Sequence, residues 1–294
     1  MDGNGNLQKA VILSVLAHPD DETFGMGGTL ALYAQRGAQV YLICATRGEV
    51  GDVDPQFMQG FDTIAERREY ELRCAAQKLG LKEVYFLGYR DSGMPGAVDN
   101  HHPRALAAAP LDEVAGKIVG YIRRLRPQVV LTFDPIGGYR HPDHIAVHEA
   151  TVRAFALAGS ADYPSDDLPP YQPQKLYFYT IPRRFLRWAV RLLPLFGRDP
   201  HRWGRNHDVD LASLAVEDFP VHAMVDISPV QELKNEASLC HESQGGSGMV
   251  RGLMGWLGRI GGRREAFMRA YPDPDGKVRE KDLLSGVVSN SNRS

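Results

Sequence analysis

The sequence is poor in three features that would each point to a particular class of protein. Its 294 residues include only three cysteines, Cys44, Cys74 and Cys240, which are too few and too scattered for a disulfide framework. Its formal net charge of −2 argues against general nucleic-acid binding. Its first apolar run, VILSVLA, is too short to cross a membrane and lacks the basic start of a signal peptide. We therefore expect a cytoplasmic protein that does not bind nucleic acid.

β-branched apolar runs alternate with longer helical patterns from residue 10 to about residue 160. This alternation is typical of βαβ units around a parallel sheet. We expect an α/β fold with a Rossmann-like, mostly parallel sheet and helices on both faces. The predicted strands cover residues 10–17, 39–46, 84–87, 129–133 and 175–181. The predicted helices cover residues 24–36, 62–79, 111–125, 144–157 and 230–240.

The chain is expected to form one domain in three parts. Residues 1–160 form the Rossmann-like body that carries the metal site. Residues 161–270 complete the fold and carry two insertions that are both basic and apolar, at 181–205 and 249–269. Residues 271–294 are expected to be a loosely held tail.

The segment 181–205 contains seven arginines and one aspartate, and 249–269 contains five arginines and one glutamate. As a helix, the first segment would place Trp188 and Leu192 on one side and arginines on another. Such a helix could dock on an anionic membrane or form a lid over the site. We favour packing of its apolar side on the body or on a second subunit of a homo-oligomer, because amphipathic helices of soluble proteins usually bury that side.

Two His-Pro-Asp clusters carry the chemistry of the chain. AHPDDE, residues 17–22, follows the first predicted strand, and DPIGGYRHPDHIAVH, residues 134–148, follows the fourth. Ligands of open parallel sheets bind beyond the carboxyl ends of the strands, so the clusters would face one crevice if these strands are neighbours. This mixture of imidazoles and carboxylates suits zinc, whose catalytic sites have three protein ligands and an open position for water.

Structural alternatives exist for several of these residues. A single His-Pro-Asp is often only a turn or a helix cap, but two such clusters after two different strands are hard to dismiss in this way. Asp134 could cap a chain reversal, and Glu22 could lie in a helix first turn, where the dipole favours a carboxylate. The glycine-rich FGMGGT at 24–29 is not G-x-G-x-x-G and follows the acidic turn, which argues against a dinucleotide loop.

With AHPDDE near the N-terminus and GGYRHPDH about 120 residues later, the chain resembles the LmbE-like, or PIG-L, family of zinc-dependent N-acetylglucosaminyl deacetylases. The resemblance covers residues 10 to about 160 and, more weakly, CHESQ at 240–244. It implies that His18, Asp21 and His144 bind zinc. Iron or cobalt would tolerate the same set of two histidines and one carboxylate.

The resemblance also implies roles for neighbouring residues. Asp20 would be the general base that deprotonates the attacking water. His141 would act as an acid or support the tetrahedral intermediate electrostatically, and Tyr139 would help to polarise the amide carbonyl. Asp143 would orient His144 from behind.

Arg68 and Asp91 resemble sugar-contacting residues of the family. Arg68 could instead form an ion pair with Glu71 on the same helix, and Asp91 could simply shape a loop.

The implied reaction converts an N-acetylglucosamine-type conjugate, a small molecule, into a free amine and acetate. Hydrolysis of an amide in a sugar-thiol conjugate is an alternative within the same chemistry. A non-catalytic module that binds an anion or a nucleotide is an alternative of a different class. The acidic turns argue against this alternative, because anion sites favour backbone amides and basic side chains.

Overall fold

The computed structural model describes residues 10–165, 168–181, 183–202, 210–217, 219–247, 263–274 and 279–288. Seven strands within these residues form one sheet in the order β3-β2-β1-β4-β5-β7-β6. β1 to β5 are parallel, and β7 is antiparallel to both β5 and β6. The strands are β1 (Val11–Leu16), β2 (Gln39–Cys44), β3 (Glu83–Phe86), β4 (Val129–Phe133), β5 (Lys175–Thr180), β6 (Ala223–Asp226) and β7 (Arg264–Tyr271).

Helices cover both faces of the sheet. The strand order places β2 and β3 on one side of β1 and places β4 and β5 on the other. The α-helices of the described residues are α1 (Asp21–Phe24), α2 (Gly27–Gln35), α3 (Ile64–Leu79), α4 (Leu111–Leu125), α5 (Gly137–Arg140), α6 (Pro142–Ala158), α7 (Arg183–Leu192), α8 (Leu211–Leu214) and α9 (Gln231–Cys240). α2, α3 and α9 contact one another, and α4 packs against α6.

Local sequence explains the strands and helices that frame the site. All five residues of β4, VVLTF, are buried, as expected for a strand covered on both faces. α3 begins with a capping box, in which Thr63 accepts from the Glu66 N–H and the Glu66 side chain accepts from the Thr63 N–H. It ends at Gly80, whose φ of 75° is accessible to glycine without a steric penalty. The capping box thus fixes the start of α3, four residues before Arg68.

The predicted fold class is confirmed, and each predicted strand and helix has a counterpart near its expected position. The helix expected over 24–36 is interrupted, because α1 ends at Phe24 and α2 begins at Gly27. β6 and β7 were not predicted. β7 occupies 264–271, where the sequence suggested part of a basic insertion. Its buried residues are consecutive rather than alternating, and one of them, Glu265, is charged.

The described part of the tail, 279–288, is packed rather than loosely held. Leu283 is fully buried, and its N–H donates to the Tyr33 hydroxyl at 2.6 Å. Glu280 accepts from Lys175 Nζ at 2.8 Å. The polar composition of the tail concealed these few anchoring contacts.

Within the basic segment 181–205, residues Arg183–Leu192 form α7, while 182 and 203–205 lie outside the described residues. Val190 packs against the small cluster around Leu214, and Arg187 Nε donates to the Ala215 carbonyl at 3.0 Å. Trp188 remains 66 % exposed. Among the described helices, none combines the length and the apolar character that a membrane crossing requires. Most of 249–269, namely 249–262, lies outside the described residues.

Cys74 and Cys240 form a disulfide between α3 and α9, with their Cα atoms 5.8 Å apart. The sequence did not predict this link, because the two residues are separated by 166 positions and meet only through helix packing. Cys44 is free and buried.

Candidate metal centre and active site

The two His-Pro-Asp clusters meet at the carboxyl edge of the sheet, because β1 and β4 are neighbours. His18 follows β1, and Asp21 is the first residue of α1. His144 lies in the first turn of α6, a helix that begins with Pro142 after the N-cap His141. The crevice that the sequence predicted at this point is therefore present.

Three side chains direct acceptor atoms at a common point. His18 Nδ1 lies 3.2 Å from His144 Nε2 and 3.6 Å from Asp21 Oδ2, and His144 Nε2 lies 3.2 Å from Asp21 Oδ1. Ligand atoms that lie about 2.0–2.1 Å from a tetrahedral zinc are about 3.3 Å apart from one another. The two imidazole nitrogens and the two oxygens of the Asp21 carboxylate are therefore spaced to bind one metal ion between them.

The outer contacts of both histidines fix which nitrogen faces this point. His18 Nε2 lies 3.0 Å from Asp143 Oδ2, and His144 Nδ1 lies 3.2 Å from the Gly137 carbonyl. In each neutral ring these nitrogens carry the proton, which leaves two lone pairs and the Asp21 carboxylate facing one another. Such a set needs a cation between its members.

The charges of the cluster also require a cation among its carboxylates. Burial alone would lower the pKa of His18, but Asp91, Asp143 and Asp21 outweigh it and hold that pKa well above its ordinary value. Burial would raise the pKa of Asp21, yet His144 and His18 hold it well below its ordinary value. Without a metal, a proton on His18 balances the carboxylates, and metal binding would displace that proton.

Two other donor groups lie within reach of the same histidine. Donor atoms of His18, His141 and His144 lie within 4.8 Å of one another, as do those of His18, Asp91 and Asp143. The second group faces His18 Nε2, which donates to Asp143 in the arrangement above. His141 Nδ1 accepts from the Asp143 backbone N–H at 3.2 Å. The Asp21 carboxylate contacts both inward-facing histidine nitrogens.

Asp20 lies beside His18, Asp21 and His144 but is not one of these three proposed ligands. Its φ of 123° is one that L residues rarely adopt, and it turns the side chain toward the cavity. Burial raises the pKa of Asp20 to about 6, against the opposing effect of the Arg68 guanidinium. A carboxylate with a pKa in this range can accept a proton near neutral pH.

Arg68 contacts the base and the loop that holds it. Its Nη2 donates to Asp20 Oδ2 at 3.0 Å and to the Pro19 carbonyl at 2.7 Å, and its Nη1 donates to the Gly48 carbonyl at 3.0 Å. A Cβ at Gly48 would lie 2.2 Å from Nη1, and the φ of Gly48 is 69°. The alternative pairing of Arg68 with Glu71 is wrong, because Arg67 Nε makes that contact at 2.9 Å.

Asp143 contacts a different histidine from the one expected. Its carboxylate lies against His18, whereas its chain neighbour His144 points elsewhere. Adjacent residues on an α-helix diverge by about 100°, so Asp143 and His144 cannot face each other. Asp143 also accepts from the Ser92 N–H at 2.9 Å and from the Ser92 hydroxyl.

Asp91 also lies behind His18 and helps to shape the loop. Its Oδ1 is 3.4 Å from His18 Nε2 and accepts from the Gly93 N–H at 2.8 Å. Its Oδ2 accepts from the Val50 N–H at 3.3 Å. Asp91 remains at the cavity wall, where the sequence predicted a sugar contact.

His141 and Tyr139 line the same cavity, with their ring centroids 5.9 Å apart. Burial, together with His18 and His144, lowers the pKa of His141 to about 2. Because Nδ1 accepts from the backbone, the neutral ring carries its proton on Nε2 and can donate a hydrogen bond from there. Tyr139 is 38 % exposed, so its hydroxyl-bearing ring is accessible from solvent.

A cavity of about 560 Å³ opens above the cluster, a size that suits a sugar conjugate. Asp21, His144 and Asp143 lie beneath it, each in contact with His18. The lining residues are His18, Asp20, Val50, Gly51, Asp52, Arg68, Asp91, Gly93, Met94, Ala97, Tyr139, His141, Ser243, Gln244 and Gly245.

Two buried pairs beside the site were not predicted from the sequence, namely Glu22 with His241 and Glu71 with Ser243. Glu22 was interpreted only as a first-turn carboxylate, but it is fully buried and lies 2.8 Å from His241 Nε2. Ser243 donates from its N–H and its hydroxyl to Glu71, at 2.9 and 2.7 Å. Both His241 and Ser243 belong to the CHESQ segment, which the resemblance had indicated without assigning roles.

Comparison with known proteins identifies the family of the chain. Residues 13–155 match the family model described as PIG-L, GlcNAc-PI de-N-acetylase. A 1D-myo-inositol 2-acetamido-2-deoxy-alpha-D-glucopyranoside deacetylase from Kineococcus radiotolerans is 43 % identical over 249 residues, which cover 79 % of this chain and 68 % of the relative. The protein of the same description from Rhodococcus jostii is 36 % identical over 291 residues, which cover 94 % of this chain and 98 % of the relative.

A solved structure shares the fold. N,N'-diacetylchitobiose deacetylase from Pyrococcus horikoshii, in complex with its inhibitor MPG, aligns with a TM-score of 0.60 at 23 % identity, covering 92 % of this chain and 87 % of that one. At this identity the likeness supports the fold alone. The sequence relatives carry the assignment further: the chain belongs to the PIG-L family of de-N-acetylases.

Proposed function

We propose that the protein hydrolyses the acetamido group of N-acetylglucosamine linked to an inositol-type polyol, with zinc held by His18, Asp21 and His144. The chain is a hydrolytic N-deacetylase acting on N-acetylglucosamine-type substrates, as its relatives are, rather than a non-catalytic binding module. The polyol is proposed because the sequence relatives are described as deacetylases of an inositol glucosaminide. The observation that carries the metal proposal is the convergence of His18 Nδ1, His144 Nε2 and the two oxygens of the Asp21 carboxylate, at contact distances of 3.2–3.6 Å, beneath the cavity.

The residues of the chain divide the reaction among them. A zinc ion, when bound, would act as a Lewis acid toward the amide carbonyl and make water a better nucleophile. Asp20 takes the proton of the attacking water, and Arg68 holds the Asp20 carboxylate in place. His141 and Tyr139 line the cavity, and the His141 Nε2–H and the Tyr139 hydroxyl would donate to the oxyanion that develops on the carbonyl oxygen.

The leaving amine also needs a proton. Protonated Asp20 can return the proton that it has taken, because a base in the first half of the reaction is an acid in the second. His141 is the other candidate donor. Its low pKa favours the neutral ring, which makes electrostatic support its better-fitting role.

The test uses metal-depleted protein that is reloaded with one equivalent of zinc. Release of free amine is measured with N-acetylglucosamine, with its inositol conjugate and with a sugar-thiol conjugate that carries the same acetamido group. We expect metal-dependent amine release, with the highest kcat/KM for the inositol conjugate. Preference for the thiol conjugate would overturn the proposed substrate. No amine release from any N-acetylated sugar by the zinc-loaded protein would overturn the activity.

A further inference from the structure

The backbone of the proposed base is held by a buried carboxylate. The N–H of Asp20 donates to Glu22 Oε2 at 3.0 Å, and its carbonyl accepts from the N–H groups of Thr23 and Phe24 at 3.0 and 2.9 Å. Asp20 has a φ of 123°, so its peptide needs contacts that hold it in this conformation. Glu22 is therefore one of the groups that set the direction of the Asp20 side chain.

Glu22 is held in turn from the far end of the chain. It is fully buried, and its Oε1 lies 2.8 Å from Nε2 of His241, which is fully buried as well. The Thr23 hydroxyl also donates to Oε1. His241 directly follows α9 and is separated from Glu22 by 219 residues, so only the folded chain brings the pair together.

We propose that His241 and Glu22 form a positioning pair that holds Asp20 in its reactive orientation. The inference rests on the proposed function of Asp20 as the general base. His241 and Glu22 are absent from the lining of the cavity, so both act through Asp20 rather than on the substrate. Arg68 fixes the Asp20 carboxylate from one side, and the pair fixes its backbone from the other.

The same segment connects the base to the wall of the cavity. Ser243, Gln244 and Gly245 line the cavity two to four residues after His241. Ser243 is bound to Glu71 on α3, the helix that also carries Arg68. The two supports of Asp20 are thus joined through α3 and the segment 241–245.

The main test compares two polar replacements of His241. His241→Gln can present an amide nitrogen near the position of Nε2, whereas in His241→Asn the amide is one methylene shorter and does not reach Glu22. We expect His241→Asn to lower kcat by about 100-fold, the scale of a small misplacement of a catalytic group. KM and the bound metal per chain should stay unchanged. His241→Gln should recover most of kcat, and equal losses in the two variants would overturn the proposal.

A double-mutant cycle shows whether the pair acts through Asp20. In an Asp20→Ala background the positioned carboxylate is gone, so His241→Asn should reduce the residual rate by less than about twofold. The same 100-fold loss in both backgrounds would contradict the positioning role. Full activity of Asp20→Ala alone would instead contradict the proposed function, which keeps the two failures distinct.

Leu283→Ala controls for a loss of stability. Leu283 is fully buried, and it is not among the residues that line the cavity. The Leu283→Ala substitution should lower the thermal midpoint of unfolding without changing kcat at a temperature where the protein stays folded. If Leu283→Ala lowers kcat as much as His241→Asn at equal loss of stability, the effect of His241 is general destabilisation and the proposal fails.

Discussion

The first and second His-Pro-Asp clusters share a tripeptide but use it in opposite ways. In the first cluster, His18 Nδ1 faces His144 Nε2 at the proposed metal site. Asp20 has a φ of 123°, which turns its side chain toward the cavity. In the second, His141 caps α6 through its Nδ1, and Asp143 lies behind His18. The role of each residue follows from the backbone that presents it, a strand end in one case and a helix N-terminus in the other.

The strongest test of this comparison removes one acceptor from each cluster. Asp21→Ala and His144→Ala should each weaken metal binding by more than about 100-fold, beyond the cost of changing an outer partner. The activity of both variants at a fixed low metal concentration should fall together with their metal affinity. Metal affinity is measured by competition with a chelator. His141→Ala is the matched control, because His141 Nδ1 is already bound to the Asp143 backbone N–H, and a comparable loss of metal in this variant would make His141 a ligand instead.

Asp143→Asn tests the outer contact of His18. The carboxylate accepts from His18 Nε2, and an amide there would weaken the fixed orientation of the ring, so metal affinity should fall by about 10- to 100-fold. Ser92→Ala, which removes one donor to the same carboxylate, should have a smaller effect. A larger loss of affinity in Ser92→Ala than in Asp143→Asn would contradict this order.

Arg68→Gln tests how the charge of Arg68 affects the pKa of Asp20. The guanidinium lowers the pKa of Asp20, so its removal should raise that pKa above its value of about 6. Because the ionised carboxylate is the active form, the acidic limb of the rate profile should move to higher pH, by about 1 to 3 units. Profiles of kcat/KM for both proteins between pH 4 and pH 9, on the order of ten points each, would show this. An unshifted limb would mean that another group controls it.

The smallest effect concerns His148, one helical turn beyond His144 on α6. Burial lowers the pKa of His148 despite its bond to the Phe133 carbonyl, so the folded protein binds this proton less readily than the unfolded chain. Stability should therefore fall as pH drops below about 6.5, by at most about 1.4 kcal/mol per pH unit. Urea unfolding of wild type and His148→Gln at several pH values measures this slope. An equal slope in both would assign it to other groups.

The fold and the main contents of the site were predictable because their signals are local. The apolar strands, the capping box of α3 and the two clusters at strand ends can each be recognised within a few residues of sequence. Placing the clusters together needed only the adjacency of β1 and β4, which parallel topology favours.

The features that sequence did not predict depend on distant contacts. Glu22 and His241 are 219 positions apart, and no local pattern marks them as partners. β7 contains the buried Glu265, whose carboxylate accepts from the N–H groups of Gly28 and Thr29 and from Lys234 Nζ. A buried charge satisfied from two other elements looks in sequence like an exposed one.

The most direct test of the central claim is the metal content and single-turnover rate of Asp20→Asn beside wild type. We expect one zinc per chain in both proteins and a rate of amine release that is lower in the variant by about 100- to 10,000-fold. This outcome would show that Asp20 acts as the base and that zinc binding does not depend on it. Loss of zinc from Asp20→Asn, or an unchanged rate with zinc bound, would contradict the division of roles between Asp20 and Asp21.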